Sequence, residues 1–427
     1  PMVIAHRGYS FINAVDFQIF SIEGVFSIPV GVSATYIILF IILGTLLEFT
    51  GTGDLIMDLG KLLAGRSRGG PAKIASISSA FFGSISGSAA ANVYATGSLT
   101  IPMMKRIGYK PHIAGAVEAA ASTGGQIMPP VMGAAAFLMS DLLGIPYITI
   151  CKAALIPAIL FFATLLLILD FEAAKMGIKG MEKSELPHLV AVLPRLYLLL
   201  PLAVLVAILI LGFTPFRAAF IAIVVTLLVS FFKKETRFTP RRFFQAIITS
   251  ARRGVMIAIA CAAAGIVIGV IMLTGLGLSF SGIIISFSGG KVFFALLLIM
   301  IASIIMGMGT PTTVAYVIVA TLAVPVLAKL GFPTLASHLF VFYFGVLSMI
   351  TPPVAVSAYA AAEIAREDAM KIALAATRIG AIAFMIPFVF IYEQALLLND
   401  VWWRVIIYFL TTLFAGVFLA GSVSSLI

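Results

Sequence analysis

Charge is what this chain has least of. Asp, Glu, Lys and Arg make up 10% of its 427 residues, while 62% are hydrophobic. Soluble domains carry about 25% charged residues, so a soluble globular protein is excluded. Cysteine and tryptophan occur twice each and histidine four times. Cys151 and Cys261 both lie in apolar segments and read as buried small hydrophobes, which excludes a disulfide framework. His6, His112, His188 and His338 fall at or beyond the ends of apolar segments, so no Ser/His pair reaches membrane depth. No GxSxG, HExxH or Walker sequence is present, and the usual enzyme classes go with them. The net charge of +10 is not a nucleic-acid footprint, because the basic residues cluster in short loops, as the positive-inside rule predicts for a membrane protein.

What is present is apolar length. Runs at 35–47, 153–169, 196–212 and 218–232 are nearly charge-free and approach the ~20 residues that span a bilayer. Within this material one pattern occurs twice. Gly83-Ser84-Ile85-Ser86-Gly87-Ser88, then Pro102, then Pro129-Pro130 is matched by Gly307-Met308-Gly309-Thr310-Pro311-Thr312-Thr313, then Pro325, then Pro352-Pro353. Pro102 and Pro325, Pro129 and Pro352, and Pro130 and Pro353 are each 223 positions apart. Duplicated helix-breaking segments in a membrane protein point to the binding site of a secondary transporter.

The loops set a topology. The stretch from Ile74 to Met104 has no charge and is flanked by Arg66, Arg68 and Lys73 before it and Lys105, Arg106 and Lys110 after it. One long tilted span and a re-entrant hairpin compete; basic residues on both flanks favour the hairpin. The walk along the chain then gives an all-α polytopic membrane protein with inverted structural repeats, two re-entrant hairpins and two broken transmembrane helices. Residues 1–29 are an external lead-in. Residues 30–170 form the first repeat, with a hairpin at 74–108 and a broken helix at 113–143. Residues 194–250 hold scaffold helices and a basic amphipathic linker on the cytoplasmic surface, with 238–250 as its own helix. Residues 253–394 form the second repeat, with a hairpin at 291–329, a broken helix at 334–365 and a single crossing at 372–392; 402–427 is a final scaffold helix. The chain begins at Pro1 with no initiator methionine, and further chain upstream is expected. Trp402, Trp403 and Tyr408 read as a membrane-interface belt.

Hairpin tips and helix breaks expose backbone groups that attract anions at half-helix N-termini and cations at unwound carbonyls. The expected substrate-binding residues are Ser86, Gly87, Ser88, Asn92, Gly125, Gln126, Thr310, Thr312, Thr313 and Thr351. The expected coupling-ion residues are Ser84, Ser86, Thr123, Gly124, Gly307, Gly309, Thr312, Ser348 and Thr351, since hydroxyl and carbonyl oxygens suit hard cations such as Na⁺. Close helix packing is the competing use of such small residues. No cofactor is called for; the coupling ion is Na⁺ or H⁺. Glu118 lies in the apolar run AGAVEAAASTGG, where it has no evident partner. A low-dielectric surrounding favours the neutral carboxyl, so Glu118 is either a proton carrier or a structural hydrogen-bonding residue. Glu48 reads as interfacial and His338 as a satisfied residue near an external segment end.

The stretches GSISGSAAANVYATGSLTIPMMKRIGY, GAVEAAASTGGQIMPPVMGAAAFLM, GMGTPTTVAYVIVATLAVPVL and MITPPVAVSAYAAAE resemble the large membrane subunit of tripartite ATP-independent periplasmic (TRAP) transporters, and within it the TAXI subgroup. The resemblance runs from about residue 20 to 395. It implies an elevator-type transporter of the bacterial inner membrane, fed by a periplasmic TAXI-type binding protein. It also implies a small membrane subunit, fused upstream, that joins the scaffold among membrane lipid. The expected activity is ion-driven uptake of an organic anion: a dicarboxylate, keto acid or glutamate-like acid. One departure stands out. Family members coupled to Na⁺ often carry an Asp near the second tip, where this chain has Pro311, and commonly lack a glutamate matching Glu118. An elevator carrier without a binding protein, or a membrane component of a larger non-transport assembly, remain alternatives.

Overall fold

The computed structural model describes residues 8–426. The first seven positions, with His6, and Ile427 lie outside the described residues. Every regular element is helical among those described. Helices α1 (Phe11–Phe20) and α2 (Ile28–Val32) lead through a π-helical turn into α3 (Ile38–Phe49), followed by α4 (Thr52–Ala64). Next come α5 (Gly70–Ser86), α6 (Ala89–Arg106), α7 (Pro111–Gly125), α8 (Ala135–Leu143) and α9 (Tyr147–Lys175). A connecting region contains α10 (Leu189–Val192), α11 (Leu200–Ile210) and α12 (Pro215–Ser230). Then follow α13 (Pro240–Thr274), α14 (Leu276–Phe287), α15 (Val292–Gly307), α16 (Thr312–Lys329), α17 (Thr334–Leu347) and α18 (Val356–Ala365). The chain closes with α19 (Ala369–Ile379), α20 (Ala381–Tyr392) and α21 (Trp402–Leu426). Among the described residues six helices are long and apolar enough to cross a membrane, or seven if the pair α19–α20, bent by 44°, counts as one. The chain is a multi-pass membrane protein by this measure.

The helix bounds recur at the spacing of the prolines. Shifted by 223 positions, the numbers of α6 become those of α16, and α7 begins where α17 begins. The shifted α4 ends where α14 ends. Local chemistry explains several of these ends. Gly87, at φ 64°, closes α5 in the left-handed region that glycine adopts without penalty. Ser88 then opens α6, its side chain accepting from the Ala91 amide. Pro111 starts α7 at the first turn, where its missing N–H costs nothing.

Four features differ from expectation. The basic segment 238–250 is not a separate surface helix: α13 runs 35 residues from Pro240 to Thr274 without interruption. Thr239 caps its start, and the Arg252-Arg253-Gly254 step carries too weak a breaker to end it, since one glycine costs only about 1 kcal/mol. The expected single crossing at 372–392 is two helices meeting at Gly380. Helices α4 and α14, unanticipated, occupy equivalent places before the two hairpins. The first hairpin also begins at Gly70, four residues before the expected 74.

The first halves of the two broken helices form the centre of the molecule. Residues 113–125 of α7 and 336–347 of α17 are buried without exception. They fill space differently. Helix α7 is mostly Ala, Gly, Ser and Thr, so its neighbours approach closely, whereas α17 carries Phe340, Phe342, Tyr343 and Phe344, all fully buried. Gly83 of α5 and Gly125 of α7 lie backbone to backbone: a Cβ on Gly125 would stand 2.7 Å from the Gly83 Cα and 2.8 Å from the Ser79 carbonyl oxygen. Outlying ion pairs tie the hairpin base down, with Lys73 Nζ 2.5 Å from Asp170 Oδ1 and Arg68 paired to the same carboxylate. Both cysteines are free and buried.

Gly125→Ala should therefore overpack a junction with no slack and cost about 1–3 kcal/mol, read as a lower thermal-unfolding midpoint of the purified protein. Gly282→Ala, in α14 with nothing within 4 Å of its new methyl, should be neutral or slightly stabilising in the same assay.

Candidate functional site

Each hairpin tip seats against the break of the helix that follows it. At the first tip the Val131 amide donates to the Ser84 carbonyl at 3.2 Å, and a Cβ on Gly87 would stand 2.8 Å from the Met132 carbonyl oxygen. The break is braced from α9, where Tyr147 donates to the Val131 carbonyl and the Cys151 Sγ lies 3.4 Å from that of Pro130. At the second tip a Cβ on Gly307 would stand 2.5 Å from the Ser348 Oγ. Its break is braced from α19, where Thr377 donates to the Ile350 carbonyl at 2.9 Å. Both Pro129-Pro130 and Pro352-Pro353 bonds are cis.

The two breaks meet at one hydrogen bond. Thr123 Oγ1 of α7 lies 3.1 Å from Ser357 Oγ of α18, both buried. Around this point several expected site residues turn inward and hold the scaffold together. Asn92 donates from Nδ2 to the Ser79 carbonyl at 2.9 Å and receives Thr96 at Oδ1. Ser348 and Thr351, just past the end of α17, bond the carbonyls of Gly345 and Leu347 inside it, and Ser84 bonds that of Phe81 in α5. Gly124 packs on the Phe161 ring. Thr310 reaches the Gly307 carbonyl at 3.3 Å, and Gly309 holds a positive φ of 72°. Thr312 and Thr313 are buried at the start of α16. Ser86 and Ser88 border a cavity at the first tip. Gln126 is also buried, and its Oε1 has no hydrogen-bond partner among the described residues.

Glu118 has partners after all, four of them. Oε1 accepts from Ser79 at 2.9 Å, Thr96 at 2.5 Å and Ser122 at 3.0 Å, and Oε2 accepts from Thr100. The hydroxyls come from α5, α6 and α7, and all five side chains are buried. Gly97 makes the room: a Cβ there would stand 2.9 Å from the Glu118 Cγ. The helix sequence around Glu118 hid this shell because three of the four hydroxyls lie outside that helix.

A hydroxyl has one proton to donate and two lone pairs to accept with. Thr96 also lies 2.8 Å from the Asn92 carbonyl, and Thr100 3.1 Å from that of Thr96. With Glu118 ionised, the hydroxyls turn toward it. With Glu118 protonated, its own O–H donates to Thr96 or Thr100, which then donate to their backbone carbonyls. The cluster satisfies both protonation states by rotating hydroxyls, without moving a helix.

The positions at the 223-residue spacing in the second half carry no polar side chain. The residues 223 positions after Ser79, Thr96, Thr100, Glu118 and Ser122 are Ala302, Val319, Ala323, Val341 and Gly345. The reverse holds for the buried pair Tyr316 and His338, whose Oη and Nδ1 lie 2.7 Å apart; their counterparts are Val93 and Gly115. His338 is thus satisfied, as expected, but inside the molecule.

The family described as tripartite ATP-independent periplasmic transporter, DctM component, matches residues 3–405. The chain belongs to this family. Relatives include the isethionate TRAP transporter permease protein DctMQ of Oleidesulfovibrio alaskensis, 24% identical over 328 residues, or 74% of this chain and 50% of that one. The 2,3-diketo-L-gulonate TRAP transporter large permease protein YiaN of Escherichia coli is 25% identical over 150 residues, 35% of each chain. The protein y4mL of Sinorhizobium fredii, uncharacterized, is 25% identical over 343 residues, 77% of this chain and 78% of its own. TRAP large permeases take up substrates, and the relatives with a stated activity are named as permeases; the chain is a transport protein and not an enzyme. Members of the family work with a periplasmic binding protein and a small membrane subunit.

The Thr123–Ser357 contact joins helices 234 positions apart in the chain. A double-mutant cycle of Thr123→Val and Ser357→Ala should give a coupling energy of about 1 kcal/mol by chemical unfolding. A coupling near zero would mean that the two halves meet by packing alone.

Proposed function

We propose that this chain is the transporting membrane subunit of a binding-protein-dependent uptake system for a small organic anion, working in the bacterial inner membrane by an elevator motion. The anion is a dicarboxylate, keto acid or glutamate-like acid, and the binding protein is of the TAXI type. The relatives' names, isethionate and 2,3-diketo-L-gulonate, are both organic anions rich in oxygen. The 223-residue recurrence of helices supports two inverted repeats whose hairpins and broken helices move as one body against α11, α12 and α21. Their close mutual packing suits rigid movement. A small membrane subunit, fused upstream, would complete the static part.

The observation that supports proton coupling is the one-sidedness of the Glu118 cluster. The architecture does not need a carboxylate there, because Val341 and its apolar neighbours fill the equivalent place. A buried carboxylate is costly unless fully hydrogen-bonded, and this one comes with a shell that serves both its charged and neutral forms. Na⁺ is the second reading. The buried, unpartnered Gln126 Oε1 favours it, since an acceptor so placed is completed by a cation or a donor.

The test is uptake into proteoliposomes with and without the purified binding protein, under an imposed pH gradient or an imposed Na⁺ gradient. Uptake should require the binding protein; uptake without it would leave a free-standing carrier. Glu118→Gln should abolish pH-driven uptake and spare substrate counterflow. Undiminished pH-driven uptake in that variant would make Glu118 structural and move the coupling to Na⁺ at the tips.

A further inference from the structure

One cavity of about 530 Å³ lies between the first hairpin and helices α3 and α13. The hairpin contributes Ser86 and Ser88 from its tip; the other wall contributes Thr45, Glu48 and Arg253. Its volume falls within the 300–1,000 Å³ usual for small-molecule sites. The rest of the lining is apolar or aromatic, apart from the Tyr94 hydroxyl, which donates to Glu363 of α18 at 2.8 Å. Arg253 is the cavity's one cationic side chain among the described residues. Its Nη1 donates to Glu48 Oε2 at 2.8 Å and to Thr45 Oγ1 at 3.2 Å.

The guanidinium has five N–H donors. Glu48 and Thr45 both take Nη1, so the far edge of the fork has no partner among the described residues. Arg253 and Glu48 keep 44% and 40% of their side-chain surface exposed, which makes their bond exchangeable with an incoming anion. An exposed ion pair of this kind adds little stability, about 0–1 kcal/mol. A fork-shaped cation matches the two oxygens of a carboxylate, or of a sulfonate, better than a lysine does.

We propose that Arg253 is the anion-docking residue of this cavity, and that Glu48 is its internal competitor. An organic anion at the first hairpin tip is drawn to Arg253 across the gap, displaces the Glu48 carboxylate, and is released when Glu48 returns. The site is thereby tuned for turnover: a bare arginine would hold the anion, and a cavity without one would not attract it. The inference names a residue for the anion uptake proposed above and rests on that reading for its transport consequence. The electrostatic part stands alone.

Two measurements test it. Ala91→Cys places a thiol in the cavity wall, while the native Cys151 and Cys261 are buried. The ratio of its modification rates by negatively and positively charged methanethiosulfonates reads the local potential without any substrate. Adding Arg253→Gln should lower the anion-to-cation ratio at least about fivefold, and adding Glu48→Gln should raise it by a similar factor. The second measurement is proteoliposome uptake of succinate, glutamate and isethionate with the binding protein present. Arg253→Gln should raise KM about tenfold or more, with Arg253→Lys intermediate, whereas Glu48→Gln should lower KM and slow release. Equal damage from both glutamine variants, each of which breaks the same bond, would reduce the pair to a structural tie and overturn the proposal. Unchanged thiol ratios would overturn it as well. If the wild type accumulates none of the three anions while the thiol ratios move in opposite directions, the anion-uptake reading fails and the cavity assignment stands.

Discussion

No water reaches the hydrocarbon layer to satisfy a broken helix, so every interruption must be completed by protein. This constraint organises the molecule. The breaks after α7 and α17 each leave unwound carbonyls, and each has a donor from a later helix: Tyr147 of α9 for Val131, Thr377 of α19 for Ile350. The hairpin tips supply the other contact, through Ser84 at one break and Gly307 at the other. Burial of α7 and α17 follows, because an interrupted helix can only sit where other helices surround it. Small residues at Gly83 and Gly125 are then obligatory, since α5 and α7 come within backbone contact there.

Helices that recur at one spacing need not carry one chemistry. The positions around Glu118 and those around Val341 are related by the 223-residue spacing, yet one set is a five-member polar cluster and the other is alanine, valine and glycine. Tyr316 and His338 reverse the asymmetry. The shared frame depends on glycine, proline and helix length, which both halves retain, and leaves the side chains inside it free to differ.

Much of the frame was readable in the residues. The charge-free stretch between two basic flanks coincides with α5 and α6, the proline pairs fall in the unwound segments after α7 and α17, and the helix bounds recur at the prolines' spacing. What escaped was non-local. Ser79 and Thr96 lie 39 and 22 positions from Glu118, so no periodicity within α7 could reveal that its carboxylate was fully bonded. Asn92 read as a ligand because its polarity is local information, whereas its partner at Ser79 is set by how α5 meets α6. The continuity of α13 was missed for a related reason. A change from basic amphipathic to apolar composition looks like a boundary, but backbone hydrogen bonding ends at caps and breakers, and none intervenes before Gly275.

That continuity has a mechanical consequence. At 1.5 Å per residue the 35 residues of α13 make a rod of about 52 Å, against a hydrocarbon thickness of about 30 Å. A rod so long must lean or stand proud of the slab, and at its first turn Arg242 is held by the carbonyls of Phe49 and Glu235. Arg253 sits a little over three turns along the same rod. Any tilt of this rod would therefore carry with it Arg253, the cavity's one cationic side chain among the described residues, and change where that arginine stands against the first hairpin.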